Sequence, residues 1–179
     1  MQTAAYVYEQ QPIDPTELSV WMRDWAIIGF LTCALAPGLV ATLIGGELWP
    51  FAAVASCLGA VSGSAVGWML RSLLNRVPDW SWVAVSLFAG VPALGAWGAL
   101  VSGCAALLTV PHMLVFAVPC GTVSALLQCS WMAPAYAMLA RAGWSRLPMV
   151  VLGPLVAGPL AGMLCIATVV STLQLVNQL

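Results

Sequence analysis

The sequence predicts an all-α integral membrane protein, a bundle of about five transmembrane helices. Of its 179 residues, 62% are hydrophobic and only 6% are charged, whereas a soluble domain carries about 25% charged residues. The mean hydropathy of +0.99 agrees with this composition. Its apolar runs are long and lack period-two alternation, which favours helices over a β-barrel. Lipid is therefore the expected solvent for most of the surface.

The N-terminal segment has none of the basic residues that begin a secretory signal peptide. We expect residues 1–14 to be a flexible cytoplasmic segment and residues 15–179 to form a single transmembrane domain. The start of the first helix is predicted by Asp14, Pro15 and Glu17. Asp is a favoured N-cap, Pro suits the first helical position, and Glu three residues after the cap completes a capping box. This helix is expected to run along the interface and continue into the first span.

Five apolar stretches are long enough to cross a bilayer, which requires about 20 residues. The predicted spans are 25–46, 50–70, 83–108, 113–139 and 147–175. The segments between them contain glycine, proline and polar or charged residues, which end helices. The last three stretches are longer than a span requires, so a six-span count remains an alternative.

The arginines predict the orientation. With five spans, the N-terminus and the loops at 71–82 and 140–146 lie on one side of the bilayer. All arginines of the chain fall on that side: Arg23, Arg71, Arg76, Arg141 and Arg146. Five charges would share one side by chance about one time in sixteen, and the positive-inside rule predicts a cytoplasmic N-terminus and an outside C-terminus.

Tryptophans at the predicted span ends are typical of the aromatic belt at headgroup level. Those at the span ends are Trp21, Trp25, Trp49, Trp80, Trp82 and Trp144. Trp97 and Trp131 lie inside spans, where we interpret them as packing or lipid-facing residues.

Small residues at four-residue spacing predict the helix-packing faces, since apolar burial does not drive association of helices already in lipid. The three predicted faces are Ala55, Gly59, Gly63 and Gly67 on the second span; Gly95, Ala99 and Gly103 on the third; and Gly158 and Gly162 on the fifth. Two interpretations remain open. The faces pack within the chain, or they bind a second copy or another membrane subunit.

The polar and kinked positions inside spans are the candidate ligand-facing residues. They are Ser124, Gln128, Pro154 and Pro159. Gln128 carries an amide that requires a partner in lipid, either on a neighbouring helix or on a ligand. Proline removes a backbone hydrogen bond, and broken helices near the midplane form substrate sites in transporters. The fifth span, with two prolines, is the best candidate for a broken helix.

Residues that carry catalysis or bind metals are few. His112 is predicted on the outer side with Glu47, away from the aspartates, so a catalytic triad is not expected. Whether Glu47 and His112 act together is left open. The six cysteines fall inside spans without close spacing, and we interpret them as apolar fillers. Asp24, beside Arg23, is interpreted as a weak interfacial ion pair. No catalytic residue, metal or cofactor is expected.

Three functions compete at this point. The first is solute binding or transport within the membrane, together with a partner. The second is a structural or assembly subunit of a membrane complex. The third, an enzyme that modifies lipids, has the least support because the reactive residues are few. The expected partners are the lipid bilayer and other membrane subunits or a second copy. Nucleic acid is not expected, because the charge is near zero. The expected location is a bacterial-type inner (plasma) membrane.

Overall fold

The computed structural model describes residues 14–76 and 80–176, apart from the side chains of 44, 76, 80–94, 129, 172–173 and 175–176. All regular structure in these ranges is helical. The helices are α1 (Pro15–Ile44), α2 (Trp49–Arg76), α3 (Trp80–Thr109), α4 (Leu114–Leu127), α5 (Ala133–Arg141) and α6 (Leu147–Val176). Short 3₁₀ turns at Gly46–Leu48 and Pro111–Met113 precede α2 and α4, and a π-helical segment at Gln128–Met132 joins α4 to α5.

Within the described residues, four helical segments are long and apolar enough to cross a membrane, as the predicted class requires. They are Pro15–Leu43, Gly46–Asn75, Pro111–Arg141 and Leu147–Ser171. α3 is also long, with 30 residues, and its described part Gly95–Thr109 is apolar. Thirty helical residues extend about 45 Å, more than the hydrocarbon thickness of about 30 Å.

The predicted start of the first helix is confirmed. The Asp14 carboxylate accepts a hydrogen bond of 2.9 Å from the backbone N–H of Thr16, and Pro15 occupies the first helical position. The helix then continues without interruption to Ile44. The Glu17 carboxylate, expected to complete the capping box, instead contacts arginines of α2 and of the segment before α6.

α1 packs against α2 and α6, while α3 and α4 form a second hairpin that contacts α2 through α3 and α6 through α4. The bundle has two ends, which we name by their residues. The arginine end contains Arg71 and Arg146, and the turn end contains the two 3₁₀ turns.

The small-residue face of α2 packs against α1. A Cβ added at Gly59 would lie 2.5 Å from the carbonyl oxygen of Gly29, and one added at Gly63 would collide with the carbonyl oxygen of Trp25. Only glycine permits so close an approach of two backbones. The buried residues of this face are Ala55, Gly59, Gly63 and Gly67. The face is therefore covered within the chain.

α3 and α4 make their closest contact through residues outside the row of small residues predicted on α3. A Cβ added at Gly98 would collide with the carbonyl oxygen of Gly121, and one at Gly121 would collide with Ser102. The predicted row on α3 lies beside this contact and consists of Gly95, Ala99 and Gly103. Added Cβ atoms at Gly95 and Gly103 would be 3.1 and 3.4 Å from side chains of α4. The closest approach of α3 to α4 is therefore at Gly98, one residue before Ala99 of the predicted row.

The predicted glycines of α6 face α1. A Cβ added at Gly158 would lie 2.6 Å from the Cβ of Leu35, and one at Gly162 would lie 3.0 Å from the carbonyl oxygen of Ala36. α1 therefore uses two of its faces for close contacts, one with α2 and one with α6.

The departure from α-helical geometry lies in the fourth span, not in the fifth as predicted. α6 continues through Pro154 and Pro159, whereas the fourth span changes to a π-helix at Gln128–Met132. Pro134 lies two residues after this segment. Its nitrogen has no hydrogen to donate to the carbonyl of Ser130, and its ring collides with that carbonyl in a regular helix. A wider turn relieves that collision, and π-helical turns are frequent at functional sites.

Candidate ligand-binding cavity

A cavity of about 360 Å³ lies among α1, α2, α3, α4 and α6. Leu48 and Met113 line it near the turn end, and Trp25 bounds it towards the arginine end. Its size falls in the lower part of the range for small-molecule sites, about 300 to 1,000 Å³. It thus occupies the half of the bundle that includes the turn end.

The walls of the cavity are apolar apart from a few uncharged side chains. No Asp, Glu, Lys, Arg or His occurs among the described residues that line it. The hydroxyls of Thr32, Ser62 and Ser102 donate to backbone carbonyls of their own helices, at 2.9, 3.1 and 2.8 Å. These three hydroxyl protons are therefore already used within the protein.

Two predicted ligand-facing residues, Ser124 and Gln128, line the cavity. Their side chains have no hydrogen-bond partner among the described residues. The other two, Pro154 and Pro159, do not line it. Both prolines lie in the half of α6 nearer the arginine end, and Pro154 is fully buried in packed side chains.

Three of the cysteines line the cavity: Cys33, Cys120 and Cys165. Cys120 is on α4 and Cys165 is on α6, and these two helices pack against each other. Sequence spacing gave no sign that the two residues would line one cavity, because they come together only through this contact.

The arginine end is filled by aromatic rings. The ring centroids of Trp21 and Tyr136 are 4.7 Å apart in an edge-to-face arrangement, and Trp25 lies 5.8 Å from the same tyrosine ring. Trp21 and Trp25 are only 1% and 2% exposed, so their assignment to the aromatic belt is wrong. Trp49 and Trp144 are 51% and 70% exposed, as residues of that belt would be.

The predicted ion pair of Asp24 with Arg23 is present, but the Asp24 carboxylate is buried and not at an exposed interface. It is 7% exposed. Its Oδ2 accepts a hydrogen bond of 2.8 Å from the hydroxyl of Tyr136, and its Oδ1 accepts one of 3.1 Å from Arg23. A buried carboxylate is stable only when hydrogen-bonded and paired in this way.

A second set of charges joins α1 to the other elements of this end. Arg71 donates a hydrogen bond of 2.7 Å to Glu17, and Arg146 lies 3.8 Å from the other oxygen of the same carboxylate. The guanidinium of Arg146 also lies 5.5 Å from the ring centroid of Trp21 and 5.8 Å from that of Tyr136, within the range of cation–π attraction. Arg71 and Arg146 thus do more than set topology.

One sequence signal could have revealed this charged core. Glu17, Trp21, Asp24 and Ile28 follow one another at spacings of four, three and four residues, so they share one face of α1. An acid in a row with apolar residues that face the core is expected to lie on the core-facing side of its helix. The side chains of Arg23 and Arg141 lie at the same end, and that of Arg76 lies outside the described residues.

Glu47 and His112 are exposed, in separate 3₁₀ turns at the turn end. No cluster of three or more metal-ligating side chains occurs in the described part of the chain. Comparison with protein-family models, with curated proteins and with solved structures gives no match. A functional assignment for this chain therefore rests on the geometry of its cavity.

Proposed function

We propose that this chain is a five-span membrane protein that binds an apolar small molecule in its cavity, as a solute-binding or transport component that works with a partner. α3 supplies the fifth span in this topology. The five arginines then lie on the cytoplasmic side of a bacterial-type plasma membrane, with the N-terminus inside and the C-terminus outside.

The cavity carries this proposal. Its walls are apolar, and they present one hydroxyl and one amide, Ser124 and Gln128, that have no partner among the described residues. An apolar pocket with a few convergent polar groups is the usual form of a small-molecule site. A polar amide left without a partner in lipid is costly, and a bound molecule with a carbonyl or hydroxyl group would satisfy it.

The need for a partner follows from the chemistry of the same walls. Ion-coupled carriers place an ionisable group in the substrate path, and the described lining residues include no Asp, Glu, Lys, Arg or His. Energy for directed transport would then come from another subunit. Without such a subunit, the chain would only store its ligand or let it equilibrate.

The alternative of an assembly subunit rested on an exposed small-residue face. α1 covers Gly59, Gly63 and Gly67 in this bundle, so this face is not available to another protein. The exposed apolar side chains of the other helices require only lipid. No described feature singles out a docking face.

The test is native mass spectrometry of the protein extracted gently from its own membrane, with a variant that fills the cavity. Ala117 is 7% exposed and lines the cavity. We expect the wild-type protein to carry an apolar molecule of defined mass and the Ala117→Phe variant to lose it, because the phenyl ring occupies the same space.

Ala167→Phe is the matched control. Ala167 is exposed on α6 and is not among the lining residues, so this variant should retain the molecule. The proposal fails if the wild-type protein carries no such molecule, or if both variants retain it equally.

A further inference from the structure

The cavity is long and narrow. Its lining residues extend over 25–40 of α1, 51–66 of α2 and 113–128 of the fourth span. Each of these stretches covers fifteen steps of about 1.5 Å, so the cavity extends about 22 Å along the bundle. A spherical cavity of the same 360 Å³ would be only about 9 Å across. The space therefore has the shape of a chain and not of a compact molecule.

The two ends of the cavity differ in chemistry. The lining residues nearest the turn end are all apolar: Leu48, Phe51, Val110, Met113 and Phe116. Ser124 and Gln128 lie towards the other end, four residues apart and so on one face of the helix. A hydroxyl and an amide can each donate and accept hydrogen bonds. The cavity thus offers hydrogen bonds towards one end and only apolar contact at the other.

The polar end is closed by the packed core. Trp25 bounds it on α1 and is 2% exposed, and Met132, one turn after Gln128, is fully buried. A polar group bound at this end must therefore be small. It must also be uncharged, because the described lining residues include no Asp, Glu, Lys, Arg or His, and a buried charge without a partner is unfavourable.

We propose that the cavity binds a neutral lipid with one straight hydrocarbon chain, whose small head group hydrogen-bonds to Ser124 and Gln128 and whose chain extends to the turn end. This inference rests on the proposed function and specifies the class of its apolar ligand. A C–C bond of about 1.5 Å advances an extended chain by about 1.3 Å per carbon, so sixteen carbons extend about 20 Å. A long-chain alcohol or primary amide has this form.

The width of the cavity favours one chain over two. Divided over its length, the volume of about 360 Å³ corresponds to a mean width of about 4.5 Å. Carbon atoms in contact are about 3.5 to 4.0 Å apart, so two chains do not fit side by side. A phospholipid would bring a second chain and a charged phosphate, and neither has a place within these walls.

The test uses the full-length protein in lipid nanodiscs and two sixteen-carbon alcohols that carry a diazirine. One alcohol has the diazirine beside the hydroxyl, and the other has it at the end of the chain. We expect the first to label Ser124, Gln128 or their neighbours, and the second to label Phe51, Met113 or Phe116. Tandem mass spectrometry assigns the labelled residues. Ala117→Phe should lose both labels, and Ala167→Phe should keep them.

Competitors test the class of ligand. Straight-chain hexadecanol should reduce both labels. Its branched isomer 2-hexyl-1-decanol and the charged hexadecyl sulfate should each require about a tenfold higher mole fraction or more, because a branch overfills the cavity and a charge has no partner in it. Amounts are compared as mole fractions in the bilayer, so that differences in partitioning do not contribute.

Gln128→Leu tests the position of the head group. We expect competition by hexadecanol to weaken about fivefold, the effect of one neutral hydrogen bond. Competition by hexadecane, which has no head group, should be unchanged. A misfolded variant would lose both, so the difference between alcohol and alkane reports the hydrogen bond itself.

The results that would overturn this inference differ in what else they overturn. If the branched alcohol competes as well as the straight one, the single-chain assignment fails and the proposed function stands. If the two diazirines label the opposite ends, or if Gln128→Leu leaves competition by the alcohol unchanged, the head-group assignment fails. If no apolar competitor reduces any labelling, the proposed function fails as well.

Discussion

At the arginine end the helices enclose the rings of Trp21 and Tyr136 and a buried carboxylate, whereas at the turn end they enclose a cavity of about 360 Å³. α1, α2 and α6 contribute to both regions: they line the cavity together with α3 and α4, and they form the packed core together with α5. Two carboxylates of the arginine end differ from two polar side chains of the cavity, although the indole nitrogens of Trp21 and Trp25 in the same core have no hydrogen-bond partner. Asp24 and Glu17 have hydrogen-bond or ion-pair partners, whereas Ser124 and Gln128 have none among the described residues.

This difference separates stability from binding. Filled volume and paired charges contribute to the folding free energy, so substitutions in the arginine-end core should lower stability. Empty volume and unpaired polar groups contribute little or are costly, so substitutions at the cavity should alter binding and leave the fold intact. The predictions below test this separation.

The largest expected effect is that of Gly63→Leu, because its Cβ would collide with the backbone carbonyl of Trp25. We expect α1 and α2 to separate and the protein to lose about 3 kcal/mol of stability or more. Thermal unfolding or the yield of folded protein would measure it. Ala65→Leu, at an exposed position on the same helix, is the control. If the two variants were equally stable, the close contact of α1 with α2 would be incorrect.

A smaller effect is expected for Tyr136→Phe, which removes the hydrogen bond to Asp24. Bonds to a charged group contribute about 1.5 to 3 kcal/mol in soluble proteins and less between membrane helices, so we expect a loss of about 1 to 2 kcal/mol. The measurement is unfolding in a double-mutant cycle. In an Asp24→Asn background the same substitution should lower the free energy of unfolding by less. Equal costs in both backgrounds would show that the hydroxyl and the carboxylate are not coupled.

The smallest effect on stability is expected at the cavity, for Gln128→Leu. The ligand-free protein should be unchanged or up to about 1 kcal/mol more stable, because an amide with no partner among the described residues is replaced by an apolar side chain of similar size. Binding of the native apolar ligand should weaken about fivefold. Gln174→Leu, at an exposed position of α6, should change neither. Lost stability with unchanged binding would assign Gln128 to the structural core.

The sequence was sufficient for the parts of this molecule that depend on local pattern. Asp14 caps α1 as its position before Pro15 predicted, and the helices cover the predicted spans. The spacing of Gly59 and Gly63 selected the face of α2 that meets α1. Each of these features depends on residues close together in the chain, so that periodicity and capping rules apply to them.

The features that were missed depend on how helices are rotated against one another. Asp24 became a buried acid because Tyr136 faces it from α5, and Cys120 and Cys165 line one cavity because α4 packs against α6. Periodicity gives the face of a helix but not the helix that covers it. The cavity likewise required the packed bundle, although the sequence had already selected Gln128, which lines it.

The most direct test of the contrast between the two ends is photolabelling with an apolar diazirine probe in the presence of increasing unlabelled competitor. Lipid-facing residues should label without saturation. We predict that peptides containing Phe116, Ala117 or Ile166, which line the cavity, label saturably and that the unlabelled competitor reduces this labelling. The peptide that contains Met132 and Tyr136, which are fully buried in the core, should show no such saturable labelling. Labelling that no competitor reduces, or that is competed equally at both ends, would contradict an apolar binding site at the turn end.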